Sequence, residues 1–402
     1  MRVSTGRSFD VLIIGGGPAG STAALLLARA GFSVVVVEKA VFPRRKVCGE
    51  YLSATNLDLF HRLGIFDAFV RLAGPEISRV GVFAGEKRFV SEMPHSERSR
   101  GHWGRALRRE VLDTLLLERA IEAGAVVMQP WSASKITKRE DGFLTMIGAK
   151  ETGEKQELRS AIVIAAHGSW EIGPLATQSK RQALKPSDLL GFKAHFLQSD
   201  LPADLMPMVV FPGGYGGMVT CDGGFTSLSC CIRNDVLQRV RDRDPEKKAG
   251  EAVLGHIIKN CAGVRDALTG AKLSGELMSA GPIRPGIRQR SKGGIFVIGN
   301  AAGESHPIIA EGISMAIQSA ALLCDTLTGA AGLPHANTDD LADIYDREWL
   351  RAFAPRIRAA EVFAFLAMSE SSHLVLSKLI DRFPSMLTLG AKLSGKVNRV
   401  VV

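Results

Sequence analysis

The sequence predicts an α/β fold in which a parallel-sheet domain is interleaved with an α+β domain built on an antiparallel sheet, followed by a helical C-terminal region. Three observations carry this expectation. A short apolar run, Phe9–Ile14, passes through a cluster of glycines into an apolar helical stretch. A second strand-to-helix passage of the same kind occurs over Gly294–Leu327. Between them, Leu189–Phe196, Met208–Phe211 and Thr226–Ile232 read as strands of an antiparallel sheet.

The totals fit this layout. A chain of 402 residues is too long for one simple core. Its 46% hydrophobic and 23% charged residues are those of a globular protein. No run of about 18 or more uncharged apolar residues predicts a membrane-spanning helix. Val11–Ile14 and Ala23–Ala30 follow Arg2 and Arg7 as a signal peptide's apolar stretch would. Asp10 and the Gly15–Gly20 cluster interrupt them, so a cytoplasmic protein is expected. Cysteines stand at 48, 221, 230, 231, 261 and 324, without a CxxC pair or a zinc-type ligand set. Reduced thiols and no metal follow. The net charge of +9 suits an anionic partner: a dinucleotide, an acidic substrate or an anionic membrane surface. No basic stripe is interleaved with aromatics, so nucleic acid is not expected.

The first strand, rich in β-branched residues, reads as a buried parallel one. Gly15, Gly17 and Gly20 follow as G-x-G-x-x-G, then a helix over Ser21–Arg29 closed by Gly31, then a second strand, Phe32–Val37, ending in Glu38. Each part has a job in a Rossmann-like dinucleotide site. Gly15 permits the turn, Gly17 lets the backbone approach a pyrophosphate, and Gly20 lets helix and strand pack closely. The helix N-terminus offers free N–H groups to the pyrophosphate. Glu38 stands where a carboxylate accepts the ribose hydroxyls, which suits FAD or NAD better than NADP.

Gly294–Gly299 is another buried strand. It runs into Asn300-Ala301-Ala302-Gly303-Glu304, His306-Pro307 and Glu311-Gly312-Ile313 before a helix from Ile313 to Leu327. Here the chain resembles FAD oxidoreductases of the para-hydroxybenzoate hydroxylase, geranylgeranyl reductase and flavin-dependent halogenase superfamily. Their second fingerprint reads G-D-A-A-G, then proline, then a glycine before a helix. The resemblance covers most of residues 8–330. It implies an FAD site made by Gly15, Gly17, Ala19, Gly20, Glu38 and Lys39, with Cys48 and Gly49, Arg109, and Gly299, Asn300, Ala301, Gly303, Glu311, Gly312 and Ile313. The helix after Gly312 would turn its N-terminus to the flavin's pyrimidine edge. Asn300 replaces the family's Asp and still offers an acceptor. Arg109 takes the arginine of an R-x-x-L/F-D signature, with Arg105 as a second candidate. His167 stands where the hydroxylases carry an Asp that helps bind pyridine nucleotide. That replacement tells against direct use of NAD(P)H in the hydroxylase manner, and no second Rossmann fingerprint follows, so electrons are expected from NAD(P)H through the FAD site or from a separate reductase, with an electron-donor protein as a candidate partner.

The reaction is left open by the residues. Lys46-Val47-Cys48-Gly49 is similar to the K-x-C-G of geranylgeranyl reductases, and Gly49-Glu50-Tyr51-Leu52 to the G-E of halogenases and hydroxylases. Phe211 to Val219 is similar to the reductases' G-G-Y-x-W-x-F-P, without its tryptophan and final proline. The halogenase W-x-W-x-I-P is absent. Candidate catalytic residues are Cys48 as proton donor, Glu50, and His306 as acid or base. Tyr215, Phe211 and Pro307 are expected in the substrate pocket. The resemblance implies an FAD oxidoreductase acting on a hydrophobic or aromatic small molecule. It would work by monooxygenation through a flavin C4a-hydroperoxide or by hydride transfer, including reduction of C=C with Cys48. A redox carrier or sensor without substrate chemistry is a third reading. The FAD domain is expected over 1–74, 104–174 and 282–330, and the substrate domain over 75–103 and 175–281. Residues 331–402 read as helices over Asp339–Ala352, Arg356–Ala367 and about 372–390, interrupted by Pro355 and Pro384. Phe353, Phe363 and Phe365 make this tail partly apolar, suited to core packing, to capping the cavity or to peripheral membrane contact.

Overall fold

The computed structural model describes residues 4–94, 101–170, 172–180, 182–329, 338–368 and 385–392. The first sheet grows around the strand Ser4–Ile14. Val34–Val37 lies parallel on one side and Lys155–Ala165 parallel on the other. Val126–Met128 and Ile295–Val297 extend the parallel order at the two ends. Val11–Ile13 and Val34–Val36 are almost fully buried, as strands covered on both faces must be. The covering helix Pro18–Arg29 is itself buried from Pro18 to Leu27. It packs against the sheet and against the helices Arg109–Glu122 and Gly312–Gly329. A hairpin of Trp131–Arg139 and Gly142–Ala149 joins the outer half of the Lys155–Ala165 strand in antiparallel register.

The second sheet runs Lys272–Ile283, Leu189–Leu197, Thr226–Arg233, Gly214–Thr220, Leu205–Phe211, Arg79–Ala84, Lys87–Glu92. All its neighbours are antiparallel except Leu205–Phe211 with Arg79–Ala84, which are parallel. The expected antiparallel sheet is corrected at that one pair. Its two strands come from distant parts of the chain, so no hairpin sets their relative direction. The helices Asn234–Arg243, Ala249–Asn260 and Ala262–Ala267 cover one face over a core that includes Phe192, Phe196, Leu228 and Ile257. The other face turns toward the first sheet.

The two helices expected on either side of Pro355 are one helix, Thr338–Met368, with Pro355 inside it. Proline removes one N–H and crowds the preceding turn. Here Trp349, Phe353, Ala354 and Ile357 are buried around it, and that packing carries the helix through. The helix expected near 372–390 falls largely outside the described residues, of which Ser385–Ala391 is helical. Phe353 is buried and Phe365 is 69% exposed. Among the described residues no helix is long and apolar enough to cross a membrane.

The backbone approaches itself closely at the glycine turn, where a Cβ on Gly20 would overlap the Gly15 carbonyl oxygen. Gly20→Ala is therefore expected to destabilise the protein by about 1–3 kcal/mol. Urea unfolding should show a lower midpoint at unchanged slope, and an unshifted midpoint would contradict this packing.

Candidate active site

Between the two sheets lies a cavity of about 790 Å³. One end is the glycine turn. Gly15 holds φ at 103°, and a Cβ there would stand 2.7 Å from the Ala166 carbonyl oxygen. Gly17 is different: a Cβ would meet only the guanidinium groups of Arg44 and Arg109, at 3.7 and 4.0 Å. It is open toward two cations. Gly17 also caps the helix from Pro18 without a side-chain bond, so first-turn N–H groups face the same space. Glu38 accepts hydrogen bonds from the Gly16 N–H at 2.7 Å and the Ala40 N–H at 2.9 Å.

This end is short of negative charge. Arg44 lies 3.5 Å from Asp113 and 3.8 Å from Glu38, yet its buried Nε and Nη1 have no hydrogen-bond partner. Burial lowers the Arg44 pKa against the pull of Asp113 and Glu38. Lys46 is lowered by burial and then by Arg44, Arg109 and Lys39. Arg109 is largely covered, which lowers it, but its bidentate pair with Asp113 at 2.7 Å raises it above an ordinary arginine. Cations crowded at a helix N-terminus, with unpaired guanidinium donors, fit a diphosphate. Arg105, the second candidate, is turned away to the Gly74 carbonyl at 3.1 Å and Glu76 at 3.2 Å.

The second fingerprint forms the neighbouring wall through Gly299, Asn300, Gly312 and Ile313. Gly299 holds φ at 62°, and a Cβ there would press on Ala19 at 2.9 Å. Asn300 donates its amide to Glu304 at 3.1 Å, and burial raises the Glu304 carboxyl. Gly20, Ala301, Gly303 and Glu311 do not line the cavity. Gly303 packs on Trp349, and Glu311 is fully buried and accepts from the Ser53 hydroxyl at 3.3 Å. They shape the wall from behind. His167 donates Nδ1–H to the Gly168 carbonyl at 2.9 Å and accepts from Thr177 at 3.1 Å, the tautomer those partners require.

Cys48 stands on the wall where the cationic end meets the second sheet, its Sγ accepting from the Glu50 N–H at 3.4 Å. Glu50 is 1% exposed. Its Oε1 accepts from the Arg109 N–H at 3.0 Å and contacts the Lys193 ammonium. Its Oε2 accepts from His195 Nε2 at 2.8 Å and the Cys221 thiol at 3.6 Å. Burial alone would push this carboxyl up, but the His195 hydrogen bond and the Lys193 and His195 charges bring it down to about 2. A carboxyl held that low is ionised near neutral pH. Lys193 and His195 were not singled out in the sequence. The available signal was two titratable residues at alternate positions of an apolar strand, LLGFKAHFL.

His306 sits behind the wall, its Nδ1 paired with the Tyr215 hydroxyl at 2.9 Å. Burial lowers it to about 4, so it is neutral and accepts from Tyr215. Tyr215 and Pro307 line the cavity. Phe211 does not: strand alternation turns Val210 to the cavity and Phe211 into the core beneath the sheet. Much of the remaining lining is apolar, with Val80, Val82, Met206, Met208 and Met218 from the sheet, and Phe363 and Leu366 from the long C-terminal helix, while Ser132, Ser169, Gln178, Ser229 and Ser305 add polar groups.

Arg44→Met should weaken FAD binding by roughly tenfold to a hundredfold, the worth of a charged hydrogen bond. Fluorescence titration of the FAD-free protein measures it, and an unchanged Kd would remove Arg44 from the site. His306 gives a pH prediction. Between 6.5 and about 4 the unfolded chain takes up its proton and the native one does not. Stability contributed by neutral His306 is therefore lost as pH falls through that window. His306→Asn should show a shallower loss of unfolding midpoint over the same range.

The sequence profile described as FAD binding domain matches residues 8–357. Digeranylgeranylglycerophospholipid reductase 2 of Methanopyrus kandleri is 29% identical over 393 residues, covering 93% of this chain and 91% of its own. Tryptophan 2-halogenase of Chondromyces crocatus is 26% identical over 324 residues, covering 78% of this chain and 60% of its own. The myxobacterial chondrochloren halogenase CndH, an FAD-dependent enzyme, superposes with a TM-score of 0.77 at 18% identity, over 96% of this chain and 91% of that one, a likeness of fold. With the glycine turn, the cationic end and the second fingerprint around one cavity, the chain belongs to the FAD binding domain family and is an FAD-dependent oxidoreductase.

Proposed function

We propose that this oxidoreductase saturates C=C bonds of a hydrophobic, prenyl-type substrate. The observation that carries the reading is the position of Cys48, on the wall between a cationic end that fits a diphosphate and an apolar lobe that fits a hydrocarbon chain. The reductase relative, matched over nearly its whole length, supports the substrate class. A deep apolar cavity also argues against a redox carrier, which has no use for one.

When bound, FAD supplies the hydride; the rest falls to the chain. Arg44, Arg109 and the first turn of the Pro18–Arg29 helix hold the diphosphate. The apolar lining takes the substrate and excludes water. Cys48 gives its proton to the carbon that does not receive the hydride and recovers one from solvent, so each saturated bond gains one hydride and one proton. Tyr215, backed by neutral His306, orients the substrate from the opposite sheet. Electrons reach the cofactor from NAD(P)H or from a separate reductase.

The test is anaerobic incubation of the FAD-loaded protein with dithionite and a geranylgeranyl lipid, followed by mass spectrometry. The lipid should gain two hydrogens per saturated bond, and Cys48→Ser should lower kcat by roughly 10²-fold while FAD still binds. A product carrying added oxygen under air, with no saturation in its absence, would replace this reading with oxygen transfer.

A further inference from the structure

The turn that carries Cys48 belongs to the first sheet's part of the chain but is held from the second. Glu50 closes this turn at φ 63°, a left-handed conformation that a residue with a side chain seldom adopts unless its surroundings impose it. The surroundings are on the strand Leu189–Leu197. Lys193 and His195 share the face opposite Phe192, Ala194 and Phe196, which fill the core beneath the sheet. Lys193 is 1% exposed, and its ammonium makes two contacts. One is with the Glu50 carboxylate, and the other is with the Lys46 carbonyl oxygen at 3.2 Å. A single cation thus ties the first and last residues of the Lys46–Glu50 turn, with Cys48 between them. The Glu50 N–H, fixed by the same turn, points at the Cys48 sulfur at 3.4 Å. His195 and the Arg109 N–H hold the carboxylate from other directions, and Arg45 Nη2 lies 3.4 Å from His195 Nδ1. Neutralising a buried carboxylate requires one ion pair. It does not require a bond to the far end of the turn, nor a strained backbone at the residue that is paired.

We propose that Lys193 is a positioning residue, which acts through the two ends of the Lys46–Glu50 turn to fix the Cys48 thiol against the cavity. It sets the rate of the chemistry and leaves substrate affinity alone. This rests on the reading of Cys48 as the proton donor.

Lys193→Met alone strands a buried carboxylate, so the decisive variant is Lys193→Met combined with Glu50→Gln, which removes both charges together. Its FAD absorbance and melting transition establish that it is folded and loaded. Two readouts follow on the loaded protein. Hydrogen exchange of the peptide spanning 46–52 should speed up by about tenfold, while peptides of the first sheet keep their wild-type rates. With dithionite and a geranylgeranyl lipid, kcat should fall by about 10²-fold with KM within about twofold of wild type. Wild-type exchange in the folded variant would overturn the clamp. A loosened turn with unchanged kcat, or a loss confined to KM, would overturn the positioning role. A wild-type protein that reduces no C=C would count against the proposed reaction itself, and the exchange measurement would still decide whether Lys193 holds the turn.

Discussion

The two sheets of this protein meet over a buried carboxylate, that of Glu50. An ionised carboxyl in a dry seam is tolerated only when its oxygens are fully engaged. Glu50 reaches that condition only with groups from both sides: the Arg109 N–H from the first domain's helix, and Lys193, His195 and Cys221 from the second sheet. None of these partners is near it in sequence; His195 is 145 positions away. The seam therefore forms only when both parts of the chain are in place. Its formation brings the Cys48 turn, the start of the Arg109–Glu122 helix and the cavity-facing side of the second sheet to one point.

From that point the cavity divides by chemistry. Toward the first sheet the lining is Gly17, Arg44, Lys46 and Arg109, cationic and short of acceptors. Away from it the lining is aliphatic and sulfur-bearing, closed by Phe363 and Leu366 of the long C-terminal helix. Such a gradient fits the cofactor's diphosphate at one end and apolar surface at the other. Glu50 is committed to its ion pairs, and His306 is neutral behind Tyr215. Cys48 stands on the wall at the junction, and His167, Tyr215, Cys230, Cys231 and Glu304 are further titratable side chains of the lining.

The parts of this account legible in the sequence are those fixed by short-range backbone geometry. The glycine turn could be read residue by residue, because each glycine answers to a local demand: Gly15 holds a left-handed φ, Gly17 leaves the turn open, and Gly20 packs on Gly15 within one strand–turn–helix unit. The second fingerprint was legible in outline, although Ala301, Gly303 and Glu311 support the wall instead of forming it. Phe211 was misplaced for a simple reason. A motif locates a strand, while one step of register decides which of two neighbours faces the cavity. Pro355 was read as a break because local propensity cannot register the packing of Trp349 and Phe353 around it. Lys193 and His195 were invisible as a pair with Glu50, since that contact exists only in three dimensions.

The central claim is that reduced flavin in this cavity hands its hydride to a carbon–carbon double bond. The most direct measurement is anaerobic. The bound FAD is reduced with one equivalent of dithionite, oxygen is rigorously excluded, and an unsaturated prenyl lipid is added while the flavin absorbance is followed. The account predicts that the oxidised spectrum returns without oxygen, in proportion to the double bonds lost. A flavin that stays reduced beside excess lipid, and reoxidises only when air is admitted, would contradict it.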